Sequence, residues 1–588
     1  MTPTETTPDQ IGERDHHETA EYRIFGPPGC GKTTSLTRQI SRAAARFGTG
    51  SILVTSFTRA AAAELGGRDL PIPHDRIGTL HSHCWRALGG PPLAEANVEQ
   101  WNIDHEEWAI TPAHKQEKLA GEDVVDDAAA EHKGDYLLQE VSRYRGAQWP
   151  FEYWKQEVKA FAEAWKSYKD EYGLMDFTDL IEYCWRDVDV APNNPRVLFV
   201  DEAQDLNRMQ LALIRKWGKY TDYFILAGDD DQTIYGFTGA SPEAFLTELP
   251  DDHKILLKQS YRVPRAVHGF AEALIRRVKF RQAKEYYPRA PYPGEDPVGG
   301  LVQIVRGHYR MPEHALLAAI EQQLKLGKKI MLLGACSYML SPFTTMFRKE
   351  GIPFHNPYRK ANGAWNPLRL GSQGSTASRV VSLAIGHPGY GVGHRLWSKL
   401  DVAHWMEVMK AEGFFQRGKK GQLARAAKPE AASLEFISEF LVDDAWRSLA
   451  EAWQGDIAGL IHWWHERLVK EVQKRAEFPV NIALKRGARV LTETPQITVG
   501  TIHSVKGGQA DVVFLLPDLS LVAASSYATE DDQTIDPMTR TAGGRDAIIR
   551  QFYVGATRAR ERLFLARPAK PHQQAAVLFS TAEQLGIN

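Results

Sequence analysis

Apolar and polar positions fall in blocks along this chain, and the period of the blocks tells strand from helix. "YRIF" (22–25) is a short apolar run that gives way to the glycine-rich "GPPGCGKTT" and then to the helix-compatible "SLTRQI". The predicted order there is strand, glycine loop, helix. "RVLFVDEAQD" (196–205) reads as a buried-type strand closing on Asp201 and Glu202. Between them, Phe161, Trp165, Tyr168 and Tyr172 recur at +4, +3 and +4, which is one face of a helix. Such a stripe is more often core than a ladder of exposed rings. Trp463 and Trp464 in "HWWHE" (462–466) also read as helix core, because the zinc-protease spacing is missing. "PRAPYPGEDPVGG" (288–300) reads as a surface loop. No apolar run approaches the roughly 20 residues that span a bilayer, so no membrane partner is expected. The first 22 residues are polar, lack a signal-peptide pattern and read as disordered.

A chain of 588 residues exceeds one hydrophobic core and points to several compact units. With 43% hydrophobic and 24% charged residues, it has the composition of a globular protein. The four cysteines (Cys30, Cys84, Cys184, Cys336) are scattered, which excludes a cysteine-built metal site and fits a reducing, cytoplasmic setting. Lys+Arg 71 against Asp+Glu 73 leaves a net charge of −2, so any grip on nucleic acid must come from a localised basic groove.

The glycine loop carries the first chemistry. Gly26, Gly29 and Gly31 let backbone N–H groups face phosphates, and Lys32, Thr33 and Thr34 open a helix whose dipole favours an anion. Lys32 supplies charge to the terminal phosphates and Thr33 a hydroxyl for magnesium. Asp201 and Glu202 alone could be a helix N-cap. Paired with a P-loop, Asp201 becomes a magnesium-shell residue and Glu202 the group that orients or deprotonates water. The combination reads as a nucleoside triphosphatase. "GDDDQTIYGFTGA" (228–240) is stranger, with three adjacent acids and two aromatics between glycines.

Further segments resemble the UvrD/Rep-type superfamily 1 DNA helicases, in that family's order. They are "ILVTSFTRAAAAEL" (52–65), "IGTLHSHCWRAL" (77–88), "GLMDFTDLI" (173–181), "VDEAQDLNRMQ" (200–210), "GDDDQTIYGFTGA", "KQSYRVPRAV" (258–267), "GIPFHNPYR" (351–359), "VGTIHSVKGGQADVVFL" (499–515) and "RQFYVGATRARERLFL" (550–565). Compact phage-type members share several of them. The resemblance implies an α/β fold of two RecA-like P-loop lobes with parallel sheets, each carrying a mainly helical insertion. It implies ATP and Mg2+ as cofactors and single-stranded DNA and ss/ds junctions as partners. In its terms Gln232 reaches the γ-phosphate and attacking water, Tyr261 stacks on adenine, and Arg262 and Arg558 reach the γ-phosphate from the second lobe. Phe57, His81, Tyr235, Phe237, Thr501, His503 and Lys506 would face the DNA strand. Phe57 reads equally as a buried strand-end residue, and Tyr235 and Phe237 also have a core reading. The acids 229–231 would sit where a helix begins, its dipole easing their repulsion. His81, His83 and Cys84 fit DNA-side packing better than a metal site.

The chain also departs from the pattern. The family's Leu-Asn-x-x-Gln element is absent, with Gln10 the only nearby upstream glutamine, which leaves base selectivity open. Gln509 stands where a ribose-binding glutamate is expected, so a charge-assisted bond becomes neutral. Thr238 replaces a frequent arginine.

The expected organisation is lobe 1A over 23–90 and 174–255, insertion 1B over 91–173, lobe 2A over 256–360 and 486–588, and a short insertion 2B over 361–485. The basic run "RGKKGQLARAAK" (417–428) is either a duplex grip or a solvated face. "GYGVGHR" (389–395) is either a duplex-contacting hairpin or a plain turn. With 23 residues after Leu565, neither a fused nuclease domain nor a protein-binding tail is expected. The function expected is a 3′→5′ ATP-driven DNA helicase. Its rivals are a translocase that strips proteins from DNA and a nucleotide-gated DNA-binding subunit of a repair, replication or defence complex; an RNA motor is disfavoured.

Overall fold

The computed structural model describes residues 20–587 except 59–61, 63–64, 113–131, 294–298, 360–362, 370–371, 373, 392–394 and 530–543. Gln10, most of the N-terminal segment read as disordered and the centre of "GYGVGHR" lie outside the described residues. Glu21 and Tyr22, within the segment read as disordered, instead open strand β1.

Among the described residues twelve strands form two six-stranded sheets, and every named pairing in them is parallel. The first holds β1 (Glu21–Phe25), β2 (Ile52–Ser56), β3 (Ile77–Thr79), β4 (Val197–Asp201), β5 (Tyr223–Gly228) and β6 (Lys254–Leu256) in the order β3-β2-β4-β5-β1-β6. The second holds β7 (Leu301–Val305), β8 (Ile330–Gly334), β9 (Phe354–His355), β10 (Ile497–Thr501), β11 (Ala510–Leu515) and β12 (Ala559–Ala566) in the order β7-β12-β11-β8-β10-β9. β2, β4, β8 and β10 are buried along their whole length, as parallel strands covered by helices on both faces must be. Each sheet accordingly has an apolar cluster on either side.

The two insertions are helical among their described residues, and they are anchored differently. Residues 94–168 have a core of their own, built on the predicted stripe: Phe161 and Trp165 are buried against Trp101, while Tyr172 is exposed. The helix Gln156–Tyr172 stops at Gly173, whose left-handed conformation (φ 63°) ends it. Residues 376–483 instead share one continuous core with a face of the second sheet. Phe478 meets Phe354 of β9, and Arg486 Nε donates to the Gly351 carbonyl at 2.8 Å. Trp463 and Trp464 are buried there, and Trp464 Nε1 donates to the Trp405 carbonyl at 2.8 Å. Within the basic run, Arg417, Arg425 and Lys428 are exposed.

A buried ion cluster joins the first insertion to the first lobe. Asp176 caps the helix Phe177–Asp187, and Asp179 closes the capping box. Lys169 Nζ lies 2.5 Å from both carboxylates, and Arg145 lies 2.6 Å from Asp179. Glu95 stands beside them, accepting from the Phe177 N–H at 2.9 Å; burial and neighbouring Asp176 push its carboxyl up to about 8. Removing one partner from such a cluster strands buried charge. Lys169→Met should therefore cost about 3–5 kcal/mol, read by urea denaturation, and a loss within the error of the measurement would show the cluster to be dispensable.

Candidate nucleotide site and strand-side seam

The glycine loop lies between β1 and the helix Lys32–Phe47, as predicted. Gly29 and Gly31 have φ of 76° and 73°, which L side chains avoid. The helix has no side-chain N-cap and no acid in its first turn, so its N-terminal N–H groups stay available to an anion. Thr33 and Thr34 occupy that turn.

The second lobe closes over this loop. Tyr261 N donates to the Gly29 carbonyl at 2.9 Å, while Ser260 Oγ and Tyr286 Oη donate to the Pro28 carbonyl at 3.0 and 2.8 Å. A Cβ at Gly29 would lie 2.6 Å from Arg262 Cβ, so the absent side chain is what lets the lobes touch. The Tyr261 ring is 72% exposed beside Gly31, an open apolar face at the loop.

Lys32 Nζ is buried 2.9 Å from Glu202 Oε1. Burial opposes its charge, but Glu202, Asp201 and Asp229 outweigh that and raise its pKa. Burial would push the Glu202 carboxyl up, yet Lys32 and Lys506 hold it well below the usual carboxylate range. Glu202 sits in the left-handed region at φ 51°, a conformation that non-glycine residues adopt at a cost and that aims its carboxylate at the loop. Asp201, buried at the end of β4, accepts from the Glu202 N–H at 3.0 Å.

Gln232 spans the seam between the lobes. Its Nε2 donates to Asp229 Oδ2 at 2.7 Å, and its Oε1 accepts from Arg558 at 3.2 Å. Arg558 is fully buried, and desolvation with the neighbouring Arg262 charge lowers its pKa to about 9. Arg262 donates toward the Thr557 carbonyl at 3.5 Å, and its enclosed Nε has no partner. Two neighbouring enclosed guanidiniums with no carboxylate between them need an anion, and a terminal phosphate fits that need. Thr33 and Asp201 fit a magnesium site of the kind that relies on one carboxylate plus phosphates. No group of three or more His, Cys, Asp or Glu side chains placed to hold a metal ion occurs among the described residues. Gln509 is exposed on the turn before β11.

The acids 229–231 are not eased by a helix. Asp230–Gln232 is a single 3-10 turn, and the charge is met from the second lobe instead. Lys284 Nζ lies 2.8 Å from Asp229 and 3.0 Å from Asp231 and also contacts Asp230, and Arg281 chelates Asp231 at 2.8 and 2.6 Å. Neither cation was foreseen. Three adjacent buried acids signal that cations are required, but nothing in the order of residues says which ones arrive.

The residues expected on the strand side are placed unequally. Tyr235 is only 3% exposed and packs with Ile234 into the core of the second lobe, so its ring has no face for a base. Thr501 is wholly buried at the end of β10. Lys506 turns to the nucleotide side: it bonds to Asp205, donates to the Gln232 carbonyl at 3.1 Å and lies 3.6 Å from Glu202. Burial, with Glu202 nearby, pushes the Asp205 carboxyl up to about 7 against the pull of Lys506. Phe57, Phe237, His81 and His503 are partly exposed. Phe57 stands 5.0 Å from the Tyr235 ring, Phe237 meets His503 edge-on at 5.5 Å, and His81 meets Phe177 at 5.9 Å. His83 and Cys84 are buried, and His83 is held by the Val54 carbonyl and Arg86.

Two parallel sheets, a P-loop on one and paired arginines on the other define a two-lobed P-loop protein. Residues 9–253 match the UvrD/REP helicase N-terminal domain. The chain is 28% identical over 333 residues to the ATP-dependent DNA helicase UvrD1 of Mycobacterium tuberculosis, covering 51% of this chain and 42% of that protein. It is 34% identical over 147 residues to DNA helicase II of Escherichia coli (23% and 19%). It is 23% identical over 657 aligned positions to UvrD1 of Mycobacterium leprae (94% and 81%). The chain thus spans about two-fifths of the length of the first of these relatives. Over its N-terminal part the chain is thus similar to the UvrD/Rep-type helicases.

Gly29→Ala should separate the lobes, because the new methyl meets Arg262 Cβ and the backbone disfavours it as well. A loss of about 1–3 kcal/mol in thermal stability is expected. An unchanged melting curve would mean that the loop and second lobe do not meet in solution.

Proposed function

We propose that this chain is an ATP-dependent DNA helicase that translocates 3′→5′ along single-stranded DNA and separates strands at ss/ds junctions. The observation that carries the reading is the charge arrangement across the seam: Lys32, Glu202 and Gln232 on one lobe face Arg262 and Arg558 on the other. ATP is the substrate for that cleft. Lys32 and the loop N–H groups bind its phosphates, and Tyr261 offers the exposed ring for the base. Thr33 and Asp201 would hold a magnesium ion, which when bound would supply charge neutralisation of the phosphates. Glu202 accepts the proton of the attacking water, Gln232 orients that water, and the two arginines stabilise charge developing on the phosphoryl group. In the closed cleft Lys32 must exchange Glu202 for phosphate, which frees the carboxylate to act as a base.

The strand-side contacts fall to Phe57, His81, Phe237 and His503. Stacking on aromatics is worth roughly 1–3 kcal/mol per base and is tolerant of sequence. Nucleotide-dependent closure would then change the grip of the two lobes in turn, because a motor needs states of different affinity. The working units are lobe 1A (23–90 and 174–255, extended to Leu256 by β6), insertion 1B (91–173), lobe 2A (256–360 and 486–588) and insertion 2B (361–485).

Partial duplexes differing only in which strand carries the single-stranded tail test the reading. Strand separation only with the 3′ tail is expected. Separation only with the 5′ tail would reverse the polarity, and ATP turnover unaffected by single strands would remove the motor. Separately, Glu202→Gln should lower turnover by at least about 100-fold while ATP still binds. Retained turnover would remove Glu202 as the base.

A further inference from the structure

We propose that Lys284 is a positioning residue for ATP hydrolysis, acting through Asp229 to fix which way round the Gln232 amide stands. The inference rests on the ATPase reading above and adds residues from outside the phosphate-binding segments.

The Lys284 side chain is 1% exposed and comes from the second lobe, in the segment between the helix Arg265–Ile275 and β7. Its ammonium lies 2.8 Å from Asp229 Oδ1. The other oxygen of the same carboxylate accepts from Gln232 Nε2 at 2.7 Å. A carboxylate can only accept, so the NH2 end of Gln232 must face Asp229 and the carbonyl end must face away. That carbonyl is the group at Arg558, beside the paired guanidiniums. Lys284, Asp229, Gln232 and Arg558 therefore form one chain of contacts that leaves the second lobe, crosses the first and returns to the second.

Without Lys284, the remaining ion pair of the acid triplet among the described residues is Arg281 with Asp231, which does not reach Asp229. Asp229 Oδ1 would lose its ion-pair partner, so the carboxylate could turn away from Gln232 Nε2 and would no longer dictate the amide orientation. An inverted Gln232 would point two N–H donors at Arg558 and offer no acceptor to the attacking water. Because Lys284 belongs to the lobe that closes, Gln232 would be correctly turned only when both lobes are in place. Hydrolysis is thereby tied to closure.

The test is steady-state ATP turnover by the full chain with saturating single-stranded DNA. Lys284→Met should lower kcat by about 10-fold or more while leaving the KM for ATP within about threefold, since the phosphate cradle is untouched. In a Gln232→Ala background the same change should cost nothing further, because the amide it orients is gone. Losses that multiply would overturn the relay. Asp230→Asn/Lys284→Met removes one charge of each sign while keeping Asp229 and Gln232, so it serves if the single variant folds poorly. Its kcat should stay low, and recovery to the unsubstituted level would show that Lys284 only balances charge. Absence of turnover in the unsubstituted protein would overturn the ATPase reading and this one together. Multiplying losses on an active protein overturn only the relay.

Discussion

Like charges enclosed side by side are stable only when an opposite charge reaches them, and the seam between the two lobes is organised around that constraint. The first lobe brings acids to it: Glu202, Asp205 and the triplet 229–231. The second brings cations: Arg281, Lys284, Lys506, Arg262 and Arg558. Lys284 and Arg281 answer the triplet, and Lys506 answers Asp205 and Glu202. Arg262 and Arg558 are left with carbonyls and an amide as their neighbours. Opposite charges thus meet across the seam at the acids, beside the backbone and apolar contacts that also join the lobes, while the two arginines have neutral hydrogen-bond partners. An anion placed between them would stabilise the closed cleft.

The apolar packing supports the same geometry. Both sheets are buried on both faces, which makes each lobe stiff enough to carry groups to a seam with little play. Ile234 and Tyr235 leave the first lobe and enter the core of the second. The segment 228–240 therefore joins the acids, the Gln232 amide and an apolar plug within one short stretch. Its aromatics couple the lobes at least as much as they face a strand: Tyr235 sits between Phe57 and His503 under the Lys506 ammonium, 5.1 Å from its ring centre. A change in the position of Lys506 at the acids would be felt at the rings lining the strand side. The two insertions differ in the same physical terms. The first has its own core and meets its lobe through a buried ion cluster, while the second has no core apart from the sheet it covers.

Local pattern decided a good deal of this. The run from Tyr22 to Gly31, the carboxylates after β4 and the aromatic stripe from Phe161 are each readable because strand and helix periods, glycine conformation and burial are properties of neighbouring residues. The pairing of a P-loop with a strand-end Asp-Glu, and the order of the motifs along the chain, were enough for the fold class, and Lys32, Asp201 and Glu202 do lie together at the glycine loop. What they could not supply was orientation. Thr501, Tyr235 and Lys506 lie in segments read as strand-facing, yet the first two are core and the third turns to Asp205, because which way a side chain points from a turn depends on what packs beneath it. Lys284 and Arg281 were invisible for a related reason. They stand about fifty residues beyond the acids they neutralise, on the other lobe, and no period or spacing connects them. Charge requirements are written in the sequence, but charge partners are chosen by the chain's path in space, since electrostatic pairing depends on distance after folding and not on separation along the backbone.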